Sequence, residues 1–313
     1  MLVTILSFLS FLWLFFSSVS ADSAVFNISS GDVTGLIAAI NQANTQPGAD
    51  TINLDPGTYT LTNAFEPFSG LPSITSDITI NGEDAATTII ERDPGSPGFR
   101  IFTVAVSGKV TLNGLAVVGG GSIAPGGAIL NQGNLTINRS TIESSGLGPD
   151  GGGINNQTTG TLNLMHSIVI RNDAHDGAGI FNGGTAIVTY SSIIENGATG
   201  GGAFENDGTA TATIQSSTIS ANSADTGGGI LNNGTMTITN TTIANNSTGF
   251  LLGGGIANNG TLKITSSTIS GNKAATSLNG GGGGISNQGI LELQNVILAL
   301  NTTNAQPNPA HTG

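Results

Sequence analysis

The sequence predicts an all-β fold: a single-stranded right-handed parallel β-helix of 24–29 residues per coil with an N-terminal capping helix. Three observations carry that expectation. A glycine-rich box closing on an apolar residue recurs at Ile129, Ile154, Ile180, Phe204, Ile230, Ile256 and Ile285, at steps of 25, 26, 24, 26, 26 and 29 residues. Asparagine stands two places beyond each of them, at Asn131, Asn156, Asn182, Asn206, Asn232, Asn258 and Asn287. Between boxes, apolar and polar residues alternate with the period of a strand that buries one face. A fixed period of this length marks a solenoid, in which one unit alone does not fold but buries its apolar face against the next.

Taken in order, the chain opens with MLVTILSFLSFLWLFFSSVSAD. An apolar run, then small residues ending in Val19-Ser20-Ala21, predicts a secretory signal peptide over 1–21, cut near Ala21. An uncleaved anchor is the alternative, but the run is short for the ~20 residues of a spanning helix. No basic residue precedes Arg92. Residues 22–49 form an N-terminal cap, with a helix over 32–44. Leu36, Ile37, Ile40 and Ala43 fall at helical spacing behind an Asp32 N-cap. Such a helix covers the open edge of the first coil, which would otherwise template aggregation. From Asp50 the period changes to that of strands, and 50–303 is the β-helix. The end, 304–313, is a loop-like tail or an incomplete last coil.

Within the coils three further apolar columns recur. They begin at Leu135, Ile137 and Ile142 and are filled in every later copy by Leu, Ile, Val, Met or Ala. Stacked coils place equivalent residues ~4.8 Å apart, so each column becomes an inward ladder. A second asparagine column follows at Asn172, Asn196, Asn222, Asn246, Asn272 and Asn301, with Ser145 in the first copy. An amide both donates and accepts, so stacked asparagines are expected to bond one to the next.

Composition excludes several functions. Formal net charge is −12 with only seven Lys and Arg, so no basic patch tracks phosphates and nucleic acid is not a partner. Anionic membrane surfaces are disfavoured by the same sign, and no later segment spans a bilayer. Cysteine is absent, which removes disulfides, thiolate catalysis and cysteine-based zinc sites. No cofactor is expected beyond a calcium ion.

Gly126-Gly127-Ala128-Ile129 reads G-G-A-I, and Ile219-Ser220-Ala221-Asn222 reads F-x-x-N with Ile for Phe. These motifs resemble the repeats of polymorphic outer membrane proteins and related bacterial extracellular β-helix proteins. GLIAAINQAN followed by PGADTINLDPGTYTLT is similar to the N-terminal capping box of large secreted β-helix proteins. The resemblance spans roughly Ala24 to Thr303. It implies a pectin-lyase-like fold, a secreted or cell-surface location and, for some members, adhesion. No translocator barrel or sorting anchor is visible after Asn301.

Enzymes of this fold act in a groove on an outer face, with clustered carboxylates as calcium ligands or as an acid and base pair. Asp150 and Asp176 stand four residues before their box isoleucines in neighbouring copies, and Arg171, Asp173 and His175 are close in sequence. This cluster fits a calcium site at Asp150 and Asp176 or a catalytic group of Arg171, Asp173, His175 and Asp176. The ordinary alternative is turn chemistry, since both aspartates precede glycine. Arg139, His166 and Tyr190 share one column and are expected to form an outward strip that stacks a sugar, or else plain sheet surface. Thr161, Thr185, Thr211, Thr235 and Thr261 suggest an ice-binding array, but Asn163, Ile187, Lys263 and Glu292 interrupt its second row. The three histidines lack metal-ligand spacing.

The expectation is therefore a non-catalytic secreted or surface β-helix for adhesion or contact with a polysaccharide or host glycan. The alternatives are a polysaccharide lyase or glycoside hydrolase of the same fold, and an ice-binding solenoid.

Overall fold

The computed structural model describes residues 23–146, 148–249, 252–275 and 282–303. The expected signal peptide, the tail from 304 and His311 lie outside these residues. A first strand, Val25–Ile28, precedes the helix and pairs in parallel with Ala49–Leu54. The sheet thus begins inside the segment expected only to cap it. Helix α1, Val33–Ala43, is capped by Asp32, whose Oδ1 accepts from the Gly35 N–H at 2.8 Å. It buries Leu36, Ala39, Ile40 and Ala43, while Ile37 packs partly buried against the same core. Asn44 ties the helix end to the next coil, donating to Ser73 O and accepting from Thr75 N, both at 2.8 Å. Among the described residues, no helix is long and apolar enough to cross a membrane.

The described strands stack into four parallel sheets of eleven, ten, eight and six strands. One coil shows the pattern: Ile180–Asn182, Thr185–Thr189, Ser192–Ile194 and Gly197–Ala198 each enter a different sheet. Register matches the sequence columns residue for residue. Leu135, Leu162, Ala186, Ala212, Met236, Leu262 and Leu291 are successive partners. All but Leu291 are buried, because no described coil stacks beyond it. The same open end leaves Leu293 41% and Leu298 53% exposed. The fourth, two-residue strand was not expected. Its inward residues are small, and Ala174, Ala198 and Ala224 form a separate apolar cluster with Ala178.

Both asparagine ladders form. Along the first, each Nδ2 donates to the next Oδ1, from Asn131 to Asn287, at 2.6–2.9 Å. The second does the same from Asn172 to Asn301 at 2.9–3.1 Å. Two ladders were not foreseen. Ser140, Ser167, Ser191, Ser217, Thr241 and Ser267 each accept, at Oγ, the backbone N–H of the preceding coil's counterpart. Asn27, Asn53, Asn81, Asn113 and Asn138 form a half-exposed amide row on the first five strands of the eleven-stranded sheet.

The coils turn two of their corners through left-handed residues that are mostly not glycine. One corner runs Arg139, His166, Tyr190, Ser216, Asn240, Ser266 and Asn295, with φ between +48° and +55°. The next runs Ser144, Arg171, Glu195, Ala221, Asn245, Gly271 and Leu300, with φ between +53° and +65°. Each side chain of the first row is held at a cost of roughly 1–2 kcal/mol. Inter-coil hydrogen bonds fix the corner: Arg139, His166 and Tyr190 each donate their N–H to the following coil at 3.2 Å.

Candidate functional site

The expected strip of Arg139, His166 and Tyr190 is not sheet surface but this left-handed corner. The His166 and Tyr190 rings stack on each other, with centroids 5.2 Å apart and planes 7° from parallel. The strand reading fails because the backbone has already left the sheet one residue after Met165 and Thr189. Stacking occupies one face of each ring, and Tyr190 remains exposed.

The structure divides the cluster around residues 150–176 in two. Arg171 belongs to the corner between the ten-stranded and six-stranded sheets. Its guanidinium reaches Glu143 of the preceding coil at 2.8 Å and Glu195 of the following coil at 3.5 Å. Beside it, Asp173 starts a short strand and is exposed. These two form one end of an open groove of about 400 Å3, whose wall continues through Gly146, Ser145 and Ser144, then Gly121 and Gly120, to Arg92. Glu91, Val118, Glu143 and Ile170 are in register, so the groove crosses four successive coils. Arg92 and Arg171 are thus three coil spacings apart, roughly 14 Å.

His175, Asp176 and Asp150 lie on the other side of that strand. Asp150 and Asp176 are bridge partners in adjacent coils. Asp176 Oδ1 accepts from the Gly201 N–H at 2.7 Å, and its Oδ2 lies 2.8 Å from His175 Nδ1. That contact raises the His175 pKa. Burial, then the neighbouring Asp176, raises that of Asp150. Both Asp176 oxygens are already engaged. Among the described residues, no three His, Asp or Glu side chains stand together as a metal-binding set. Calcium takes roughly six to eight oxygens, so an ion at this pair would draw the rest from backbone carbonyls and water.

Glu205 was missed. It lies in the eight-stranded sheet between Phe181 and Leu231 of the adjoining coils, pointing away from the core that holds Phe204 and Asn206. It is only 7% exposed. Its Oε1 receives a long hydrogen bond from Asn233 Nδ2 at 3.5 Å, and its Oε2 has no partner. Gly201 makes the room, since a Cβ there would collide with Oε2. Burial first, then Asp176, Asp207 and Asp150, push the carboxyl pKa up to about 8, favouring the neutral form. The sequence carried one signal: the position is Thr103, Leu130, Asn155, Phe181, Leu231, Ala257 and Ser286 in other coils, and only here acidic.

No family model matches the chain, and no curated protein matches it. Among solved structures it is similar to pectate lyase Pel9A, over 95% of this chain and 82% of that one, at 14% identity with a TM-score of 0.60. The A-module of the mannuronan C-5 epimerase AlgE4 from Azotobacter vinelandii aligns over 93% of this chain and 99% of that one, at 15% identity with a TM-score of 0.37. The likeness to Pel9A shows the fold alone: this chain is a right-handed parallel β-helix of the pectin-lyase-like kind.

Proposed function

We propose that this is a secreted or cell-surface β-helix that contacts polysaccharide along the flank between Arg92 and Asp173, and that the contact is adhesive rather than catalytic. The groove is the observation that carries this reading. Its wall offers hydroxyl, carboxylate and guanidinium groups with glycine backbone between them, the mixture of donors and acceptors that sugar hydroxyls need. It also runs along the solenoid across coils, as an extended chain would. Likeness to a pectate lyase supports polysaccharide as the class of partner. The apolar leader and the G-G-A-I boxes, similar to those of polymorphic outer membrane proteins, support an extracellular setting. A glycan array probed with the full chain tests the proposal. Binding to extended glycans that is lost on Ser144→Trp is expected, and an array without any signal overturns it.

A second reading, cleavage of a polysaccharide on the face of the eight-stranded sheet rather than in the groove, is favoured by Glu205, whose carboxyl pKa burial and then Asp176 push up to about 8. Release of oligosaccharides by the full chain, abolished in Glu205→Gln, would establish it in place of adhesion.

A further inference from the structure

The two arginines of the groove are not equivalent. Arg171 is matched by Glu143 and Glu195. Arg92 is half-buried and, among the described residues, enters no ion pair, so no carboxylate of theirs compensates its charge at contact distance. It is nonetheless held firmly: Nε donates to Gly119 O at 2.8 Å, and Nη1 to Ser96 O at 2.8 Å and Asp93 O at 3.1 Å. These acceptors are neutral. The guanidinium carbon stands 6.0 Å from the centre of the Phe99 ring. The remaining nitrogen, Nη2, makes no protein hydrogen bond and faces Gly121, where an added Cβ would come within 3.1 Å of it. Glycine at 121 keeps that nitrogen open to the groove.

A second uncompensated cation lies under the same segment. Arg100 is 5% exposed and donates to Pro125 O at 2.9 Å, Gly126 O at 3.4 Å and Ser122 Oγ at 3.5 Å, with no acid partner among the described residues. In a chain of net charge −12, two of the seven basic residues thus stand unpaired around residues 119–126. Asp173 at the other end of the groove is exposed and negative. The groove is therefore polarised along its length.

We propose that Arg92 reads an oxyanion, so that the groove takes a sugar carrying a carboxylate or sulfate, with the acid group at Arg92 and ring hydroxyls toward Ser144 and Asp173. The preorganised guanidinium gains a charge-assisted hydrogen bond from Nη2 without losing side-chain freedom on binding. This rests on the glycan-contact reading and gives it a chemical class.

The experiment is equilibrium binding of the full chain to three oligosaccharides of equal length: an oligouronate, a sulfated one and a neutral one. At least one of the anionic ligands should bind roughly tenfold or more tightly than the neutral one, the size expected for a hydrogen bond to a charged group. Whichever anion gains identifies the group read. Arg92→Gln should erase that preference while neutral binding persists. Because Arg92 also holds three carbonyls, thermal unfolding is recorded alongside, and Asp173→Asn provides an independent arm. Because Asp173 also faces the sugar, the readout is a ratio: removing the like charge should raise anionic relative to neutral affinity, most clearly at low ionic strength. Equal affinity for all three ligands in the parent chain overturns the oxyanion proposal and leaves glycan contact standing, as does a folded Arg92→Gln that keeps its preference, or an Asp173→Asn without effect should Arg92→Gln not fold. Failure of all three ligands to bind removes both.

Discussion

Glu205 and Asn206 are neighbours in one strand, both buried and both polar, yet they stand on opposite faces and in opposite circumstances. Asn206 sits inside a ladder. Its Oδ1 accepts from Asn182 at 2.8 Å, and its Nδ2 reaches Asn232 Oδ1 at 2.9 Å and Thr235 O at 3.2 Å. Glu205 is the one acidic residue in a column otherwise uncharged, and among the described residues its Oε2 finds no partner. A buried polar group is inexpensive only when its partners repeat with it. The amide does, because every coil brings the same amide one spacing away. The carboxyl occurs in one coil, and burial pushes it toward its neutral form instead.

Four substitutions test that contrast. Asn206→Asp should be the most damaging, at about 3–5 kcal/mol, because it removes the donor and turns a charge toward three oxygens that formerly accepted, those of Ala210, Asn232 and Thr235. Urea unfolding at pH 7 measures it, and a loss below 1 kcal/mol would mean the ladder is not energetically continuous.

Glu205→Gln should act in the opposite direction. The folded pKa of about 8 lies above the ordinary 4.5, so the folded state holds a proton that the unfolded chain releases. Stability contributed by that proton is full below pH 4.5, falls as pH rises toward 8 and is gone above it. The glutamine variant lacks this dependence and should be roughly 2–4 kcal/mol more stable than the parent at pH 9, with little difference at pH 4. Parallel melting curves at the two pH values decide it. An identical pH profile for both proteins would place the Glu205 pKa near its usual value.

Asn287→Ala removes the last rung of the first ladder. Asn287 is exposed and serves chiefly as acceptor for Asn258 at 2.6 Å. Water replaces it, and the cost should stay below about 1 kcal/mol in the same urea assay. A loss as large as that of Asn206→Asp would show that the ladder draws its strength from its ends. Smallest of all, His175→Ala breaks only the exposed contact with Asp176 and should shift stability by less than about 0.5 kcal/mol. A larger change would show that His175 also holds the turn to which Asp176 is bonded.

The same contrast explains what could be read from the sequence. Whatever recurs was visible: the box isoleucines, the apolar columns and both asparagine ladders align in three dimensions as they do on paper. The fourth strand was hidden because two residues carry no periodicity, and alanine at 174, 198 and 224 is too small to announce a core. Ser140 and its counterparts resemble ordinary turn residues, and only the structure shows their hydroxyls accepting across coils. Left-handed φ at Arg139 and Tyr190 could not be inferred, since neither is a residue chosen for that conformation. Of the functional candidates, proximity in sequence correctly joined His175 to Asp176 and Arg171 to Asp173. It placed the two pairs in one cluster, where the short strand at 173–174 separates them. It could not find Arg92, three coils away along the groove, or Glu205, whose only mark was to differ from its column.

The corner that runs from Arg139 to Asn295 behaves as a line of type. Seven coils set the same backbone torsion there, yet the letters are Arg, His, Tyr, Ser, Asn, Ser and Asn. Changing one alters the surface text and leaves the apolar columns as they were. Adjacent letters stand only ~4.8 Å apart, so they are read in combination, as the stacked His166 and Tyr190 already are. Duplication or loss of a whole coil would shift the text by one letter without misspelling the rest. The corner is thus a row whose side chains can differ from coil to coil while the backbone torsion and the buried columns beneath it stay constant.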